Sequence, residues 1–199
     1  GTDGAIWGGE VFFNQKRVEH LEYAKMLASD EISKNADLCL ACYDGSNPLV
    51  KSAIEHNINT VNSSSMGRLF DAVAAVLDIC HYNTYEGECA IALERTARKA
   101  GKAFELTPTL SPKAIIEEIK KANAPKEEIA LGFHHMLARL IVNIAKKYNA
   151  KQLTLSGGCF NNRILTEKTF ELLKQNNIKV YINNKVPSGD QGLCLGQAY

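Results

Sequence analysis

Residues 151–182 read KQLTLSGGCFNNRILTEKTFELLKQNNIKVYI, and this stretch decides the fold class. The short apolar run KQLTLS is typical of a strand, GGCFNN of a loop, RILTEKTFELLKQNN of an amphipathic helix and IKVYI of a second strand. A strand, a helix and a strand in this order form a β-loop-α-β unit, which needs a right-handed crossover. The sequence therefore predicts an α/β fold.

Outward from this unit, the hydrophobic spacing predicts helices and one hairpin. The segment NSSSMGRLFDAVAAVLDIC offers serines as N-cap candidates and apolar residues at helical spacing as far as Cys80. Further helices are expected over residues 89–100, over 112–122, which Pro112 opens at its first turn, and over 126–148. Before them, residues 1–22 are typical of a β-hairpin and residues 23–60 of a broken helical connection.

Composition excludes several classes of function. The chain has 199 residues, of which 45% are hydrophobic and 23% charged, the make-up of an ordinary globular protein. It has no apolar run of the ~18 residues that a membrane span needs and no signal-peptide pattern, so we expect no membrane and a cytoplasmic location. The net charge of +1 gives no reason to expect a nucleic-acid partner. Residues 101–199 nevertheless carry fourteen Lys or Arg against eight Asp or Glu, which leaves room for a small anionic ligand.

The cysteines favour buried thiols over a metal site. Cys39 and Cys42 form the segment CLAC, but the chain has no second CxxC and no HxxxH to complete a zinc site. Because CLAC continues an apolar segment, we expect thiols packed as small hydrophobes in a reducing compartment.

The glycine-rich loop of the C-terminal unit is the first candidate site. Gly157 and Gly158 follow a strand and precede a helix, where backbone N–H groups and the helix dipole can attract a phosphate. The spacing matches neither GxGxxG nor a Walker A motif, so a plain tight turn is equally compatible. Asn161 and Asn162 could contact ribose hydroxyls or phosphate oxygens, or could serve as caps.

Acidic residues supply the other candidates. Asp190, in PSGDQG, can be an N-cap or a ligand for a hard cation. Asp71 falls in the expected first turn of its helix, where the dipole alone would favour a carboxylate. Glu86 and Gly87, in TYEGE, form a loop with no clear structural task. His134 and His135 are adjacent on a helix and diverge by about 100°, so we expect no metal site there.

Five segments, taken in order, closely resemble one family. GTDGAIWGGE, SSSMGRLFDAVAAVLDIC, TYEGECAIALE, LSGGCFNNRIL and VPSGDQGLCLGQA follow the order and approximate spacing of the C-terminal region of HypF, the hydrogenase-maturation carbamoyltransferases. The resemblance implies a fold of the actin, sugar-kinase and heat-shock-ATPase superfamily. On that fold, residues 1–22 would belong to a first lobe, 23–60 to a helical connection and 61–199 to a second lobe with the nucleotide-binding loops.

The resemblance also implies a reaction. Proteins of this family pass a carbamoyl group from a carbamoyl-adenylate, made from ATP and carbamoyl phosphate, to the C-terminal cysteine of the partner HypE, and the group becomes a cyanide ligand of nickel-iron hydrogenase. Family motifs upstream of Gly1, including a histidine-rich metal-binding segment, are not in this sequence. We therefore expect a fragment that binds nucleotide weakly and does not catalyse the full reaction alone.

Site residues follow from the same resemblance. Asp71 corresponds to the carboxylate that meets the ribose, and Glu86 with Gly87 to the loop beside the nucleoside. The phosphate and ribose loop would be formed by Gly157, Gly158 and Asn162. Asp190 corresponds to a ligand of a divalent metal, whose identity as zinc, iron or magnesium stays open. Two other functions stay open, namely a small-molecule kinase of the same superfamily and a non-catalytic module that docks HypE.

Overall fold

A computed structural model describes residues 11–13, 16–19, 56, 65–81, 83–192 and 197, with only the backbone described for 11–13, 16–19 and Asp190. The elements in chain order are β1 Val11–Phe13, β2 Lys16–Glu19, α1 Met66–Val76, α2 Glu88–Ala97, α3 Pro112–Lys121, α4 Lys126–Lys147, β3 Gln152–Leu155, α5 Arg163–Gln175 and β4 Lys179–Ile182. Short 3-10 helices follow β3, at Gly158–Asn161, and β4, at Asp190–Gly192.

The predicted β-loop-α-β unit is present. β3 and β4 pair in parallel, with Leu155 opposite Ile182, and α5 connects them. Because the strands are parallel, their carboxyl ends lie at the same edge of the sheet, and the segments that follow both strands leave from that edge. The α/β fold class is thus confirmed for the described part of the chain.

The N-terminal segment contributes a pair of strands. β1 and β2 are antiparallel and separated by residues 14 and 15, as the predicted hairpin requires. The predicted helical connection at residues 23–60 lies outside the described residues except for His56, as do Cys39 and Cys42.

The core is built around α4, which packs against both α2 and α5. The apolar residues of α4 are buried from Phe133 to Ile141, while Ile144 is half-buried. An extended segment, residues 103–109, crosses α4 and is held by two hydrogen bonds. Phe104 donates its backbone N–H to the carbonyl of Glu128 at 2.9 Å, and Arg139 Nη2 donates to the carbonyl of Leu106 at 2.6 Å. No helix that the structure describes combines the length and the apolar character needed to cross a lipid bilayer.

The helix that begins at Met66 ends earlier than the apolar spacing predicts. The periodic residues continue to Cys80, yet α1 stops at Val76 because Asp78 adopts a φ of 52°. Asp78 N–H then donates to Ala75 O at 3.0 Å, and the next N–H donates to Ala74 O at 2.9 Å, which is a Schellman ending. Glycine is the usual residue at such endings, so the aspartate at this position did not predict that the helix would end here.

Cys80 and Cys89 are paired as a disulfide, whereas the expectation of thiols at Cys39 and Cys42 falls outside the described residues. The early end of α1 turns the chain back toward α2, and this brings the two Cα atoms to 5.1 Å. The bridge closes the segment that carries Glu86 and Gly87. Cys159 is a free cysteine.

Removing this bridge should lower stability. The two cysteines are nine apart in sequence, and closing a loop of that size restricts the unfolded chain enough to stabilise the fold by about 2–3 kcal/mol. Chemical denaturation should therefore show Cys80→Ser less stable than the oxidised parent by this amount. Reductant should lower the unfolding free energy of the parent to that of the variant. A Cys159→Ala control, which keeps the bridge, should lose as much unfolding free energy in reductant as the parent does. If reductant left the unfolding free energy of the parent unchanged, the disulfide between Cys80 and Cys89 would be contradicted.

Candidate functional site

Two glycine-containing loops meet beyond the carboxyl ends of the parallel strands. Residues 156–162 follow β3 and residues 187–192 follow β4, and Ser188 joins them. Its carbonyl accepts the N–H of Gly157 at 2.6 Å, and its hydroxyl donates to Asn161 Oδ1 at 3.0 Å. Open α/β sheets bind their ligands at this edge. The structure thus brings the predicted loop at Gly157 next to the loop that contains Asp190.

Glycine is required at Gly157 and Gly192 for different reasons. Gly157 has a φ of 102°, a conformation that other residues rarely adopt. At Gly192, a Cβ atom would lie 2.7 Å from the carbonyl oxygen of Pro187, so only glycine fits without movement. The amide of Gly157 is engaged by Ser188. The donors that this loop can offer a phosphate are therefore those of Gly158 and Cys159, at the start of the 3-10 helix.

Asn162 is a helix cap, one of the two roles, cap or ligand contact, that the sequence left open. Its Oδ1 accepts the N–H of Leu165 at 2.9 Å, so it is the N-cap of α5. Its Nδ2 lies 2.9 Å from Nε2 of His134, a fully buried histidine of α4. The amide is consequently fixed from both ends by the protein, and a ligand would meet it in one orientation.

Asp71 is in the second turn of α1 and not the first, so the helix dipole does not account for it. The residue is 0% exposed. Arg68 Nη2 lies 2.7 Å from its Oδ2, and a hydrogen bond from the Asn83 side chain also stabilises its charged form. Burial raises the pKa of Asp71, while the Arg68 charge and the Asn83 side chain oppose the shift. Burying a carboxylate in the core is costly even when an arginine pairs with it, and its position therefore suggests a role beyond packing.

Asn83 links this carboxylate to the turn before α2. It accepts the N–H of Cys89 on Oδ1 at 2.9 Å, and its side chain lowers the pKa of Asp71. Gly87 is the N-cap of α2 with a φ of 77°, which requires glycine. Glu86 is exposed, whereas Glu88 accepts the backbone N–H of Thr84 at 2.6 Å and so braces the turn. Glu86 is therefore the acid of this turn with no bracing task among the described residues.

The carboxylate of Asp71 also lies near the glycine loop. Its charge raises the pKa of the Cys159 thiol, and burial of that thiol raises it further as the larger effect. A thiol held in its neutral form is a poor nucleophile. Cys159 is also half-buried against the core, so its packing and its raised pKa both favour a structural role over a nucleophilic one.

For Asp190 the structure gives only the backbone, which begins the 3-10 helix Asp190–Gly192. Within the described side chains, no three His, Cys, Asp or Glu residues gather as a metal site would require. The metal assigned to Asp190 from the resemblance thus stays a prediction.

Sequence reasoning assigned no role in this region to three residues, Arg68, His134 and Asn83. Arg68 could have been found, because it lies three residues before Asp71 and such pairs face each other on a helix. His134 sits inside the buried stripe of α4, which marks a histidine that needs internal partners. The role of Asn83 depends on how α1 and α2 pack and has no local signal.

Known proteins similar to this chain are HypF proteins. A family model described as "Carbamoyltransferase, Kae1-like Domain, second subdomain" matches residues 1–197. The chain is 30% identical to the probable carbamoyltransferase HypF of Methanocaldococcus jannaschii and 31% identical to the carbamoyltransferase HypF of Rhodobacter capsulatus. The two alignments include 99% and 100% of this chain, respectively. The chain spans only 30% of the length of either relative.

Solved structures give the same result. The chain aligns over 100% of its length with 32% of HypF from T. kodakarensis, with a TM-score of 0.72 and 27% identity. It aligns over 99% of its length with 38% of a full-length HypF in a phosphate- and nucleotide-bound form, with a TM-score of 0.74 and 26% identity. Both the sequence and the fold therefore match one part of these larger proteins. The chain belongs to the HypF carbamoyltransferase family, as the second subdomain of its Kae1-like domain.

Proposed function

We propose that this chain forms the nucleotide-binding part of a HypF carbamoyltransferase and holds the adenosine moiety of a carbamoyl-adenylate at the edge formed by residues 156–162 and 187–192. The observation that carries the proposal is Asp71. It is a fully buried carboxylate, paired with Arg68 at 2.7 Å, and its charge acts on Cys159 of the glycine loop. Vicinal hydroxyls of a ribose would add donors to a carboxylate that burial has removed from water.

In this proposal each predicted residue has a separate task. The amides of Gly158 and Cys159 contact phosphate oxygens, and Gly157 permits the turn that presents them. Glu86 and Gly87 lie beside the nucleoside, and Asn162 adds an amide donor. Because Asp71 is fully buried without ligand, its neighbours must shift for ribose to reach it. Burial raises the pKa of Asp71, and hydrogen bonds from ribose hydroxyls to its charged form would oppose that shift.

The larger reaction is proposed from the family. In the whole protein, the thiolate of the C-terminal cysteine of HypE would attack the carbamoyl carbon, and the bond from that carbon to the adenylate oxygen would break. The products would be a carbamoylated thiol and AMP. ATP and carbamoyl phosphate would supply the carbamoyl-adenylate, in the cytoplasm, during synthesis of the cyanide ligand of nickel-iron hydrogenase. A fold of the actin and sugar-kinase superfamily is part of the same proposal.

A divalent metal of unknown identity would neutralise phosphate charge, with Asp190 as one ligand. The described side chains do not by themselves complete a metal site, so the reaction steps above are not assigned to the metal.

The binding step can be tested with AMP. Calorimetric titration of the protein, as its gene encodes it, with AMP and magnesium should show binding. Asp71→Asn should weaken that binding by about 10- to 100-fold, the range expected for lost hydrogen bonds to a charged group. Cooperative chemical unfolding should first show that the variant is folded, because Asp71→Asn keeps the shape of the side chain but removes the charge partner of Arg68.

Asp78→Asn is the matched control. Asp78 lies just beyond the same helix, its side chain is 91% exposed, and asparagine tolerates its positive φ. This control should bind AMP as the parent does. Unchanged AMP affinity in Asp71→Asn, or no AMP binding by the parent, would overturn the proposal. A parent that captures HypE without binding nucleotide would favour the docking function instead.

A further inference from the structure

His134 is a polar side chain in the centre of the core. It lies on α4, is 0% exposed, and meets the ring of Phe70 edge-on at a centroid distance of 5.4 Å. Burying an imidazole among aromatic rings is costly unless both ring nitrogens have partners. Both have them here. Nδ1 lies 2.7 Å from the carbonyl oxygen of Ala130, and Nε2 lies 2.9 Å from Nδ2 of Asn162.

These two partners define the tautomer of the ring. A carbonyl oxygen only accepts hydrogen bonds, so the Nδ1 atom of His134 must carry the hydrogen. The Nε2 atom is then the acceptor, and the amide group of Asn162 donates to it. Burial lowers the pKa of His134 to about 4, whereas Glu94 from α2 opposes the shift and His135 from the same helix adds to it. The neutral ring is therefore the form present near neutral pH.

The same arrangement fixes the amide of Asn162. Its oxygen accepts the N–H of Leu165, which cannot accept in return, and its nitrogen donates to His134, which cannot donate from Nε2. A 180° flip of the amide would break both hydrogen bonds. One hydrogen of the Nδ2 group is used by His134, so a second remains for a ligand.

We propose that His134 is a positioning residue of the nucleotide site, whose neutral imidazole orients the Asn162 amide so that its second Nδ2 hydrogen binds the nucleotide. The proposal rests on the proposed function, since it assumes that the loop at residues 156–162 binds AMP. It goes beyond that function by naming a residue that never touches the ligand. A merely structural histidine would affect folding, but its tautomer and acceptor atom would not matter for binding.

Two variants of His134 separate these roles. His134→Leu has a similar size but no acceptor, whereas His134→Gln keeps a side-chain oxygen that can accept the Asn162 amide. Calorimetric titration of the whole protein with AMP and magnesium should show about tenfold weaker binding for the leucine variant, the usual effect of one lost directing hydrogen bond. The glutamine variant should bind within about threefold of the parent. Cooperative thermal unfolding must first show that both variants are folded.

Nitrogen NMR gives a readout that does not depend on catalysis or on the variants folding. In the parent, His134 should show a protonated Nδ1 and an unprotonated Nε2 at neutral pH, and the Asn162 side-chain amide should shift when AMP is added. The proposal is overturned if Nε2 is protonated, if a folded leucine variant binds AMP like the parent, or if a folded glutamine variant binds as weakly as leucine.

Failure of the proposed function looks different. If the parent binds no AMP, the assignment of a nucleotide site is wrong and no effect on AMP affinity can be measured. The inference that His134 serves that site is then overturned as well. The histidine nitrogen shifts would still report whether His134 orients the amide. A parent that binds AMP while a folded leucine variant matches it overturns only the role of His134.

Discussion

Gly132→Ala should lower the free energy of unfolding by about 3 kcal/mol or more, because there is no space for a methyl group at this point of α4. A Cβ atom at Gly132 would collide with the backbone carbonyl of Phe104, where the segment 103–109 crosses the helix. Backbone cannot move aside as the end of a flexible side chain can. The crossing segment would have to lift away, and the hydrogen bond from Phe104 N to Glu128 O, 2.9 Å long, would stretch or break.

Chemical denaturation followed by circular dichroism measures this loss, and α1 supplies the matched control. Gly67 is also a helical glycine, but the nearest described heavy atom to its Cβ position is Ser65 Oγ at 3.5 Å, an ordinary contact. Gly67→Ala should therefore stabilise the protein by about 0.5–1 kcal/mol, since alanine favours helix more than glycine does. Equal effects of the two substitutions would show that the segment does not cross α4 as described.

The second large effect is a loss of stability on acidification that depends on His134. Burial lowers the pKa of His134 from 6.5 to about 4 in the folded protein. Between these values the unfolded chain binds the proton and the folded chain does not, so acid favours unfolding. The contribution is complete above pH 6.5 and is lost as the pH falls toward 4. It amounts to about 3 kcal/mol, from 1.36 kcal/mol for each unit of pKa difference.

Other groups titrate in this range, so a comparison of two proteins is needed. The pKa of Asp71 is raised by burial, and this contributes the opposite slope, because the folded protein gains its proton first as the pH falls. The pKa of the half-buried His135 is lowered, chiefly by burial and then by Lys168, and gives a smaller effect of the same sign as His134. Subtracting the unfolding free energies of His134→Gln from those of the parent, at each pH, removes both contributions. A difference that is flat from pH 7 to pH 4 would contradict a neutral buried His134.

Local patterns predicted the elements that depend on local chemistry. The β-loop-α-β unit follows from alternation between apolar runs and a glycine loop. The helix at Pro112–Lys121 begins where the proline at its first turn predicts, and the structure adds Ser111 as its N-cap, with Oγ accepting the N–H of Ala114 at 3.2 Å. The predicted end of α1 was wrong by several residues. The helix ends because Asp78 adopts a left-handed conformation, which a sequence pattern indicates only when the residue is glycine.

The candidate site was predictable as a set of residues but not as a set of contacts. Loop positions made Gly157 and Asp190 candidates, whereas the role of Asp71, inside a predicted helix, followed from the family resemblance. Periodicity alone could not show that Asp71 is fully buried, since that depends on how α1 packs against elements far away in sequence. The same holds for the pairing of Asn162 with His134, which are 28 residues apart and meet only when α4 and α5 pack.

Ser188 has a further consequence for the two glycine loops. Its carbonyl binds the amide of Gly157 and its hydroxyl binds Asn161, so the loop after β4 is tied to the loop after β3 at two points. Binding a ligand normally costs conformational entropy for each flexible segment that it immobilises. Because these loops already restrain each other, a nucleotide that orders one of them finds the other largely ordered. Part of the conformational entropy that binding would otherwise cost is therefore already lost when the protein folds.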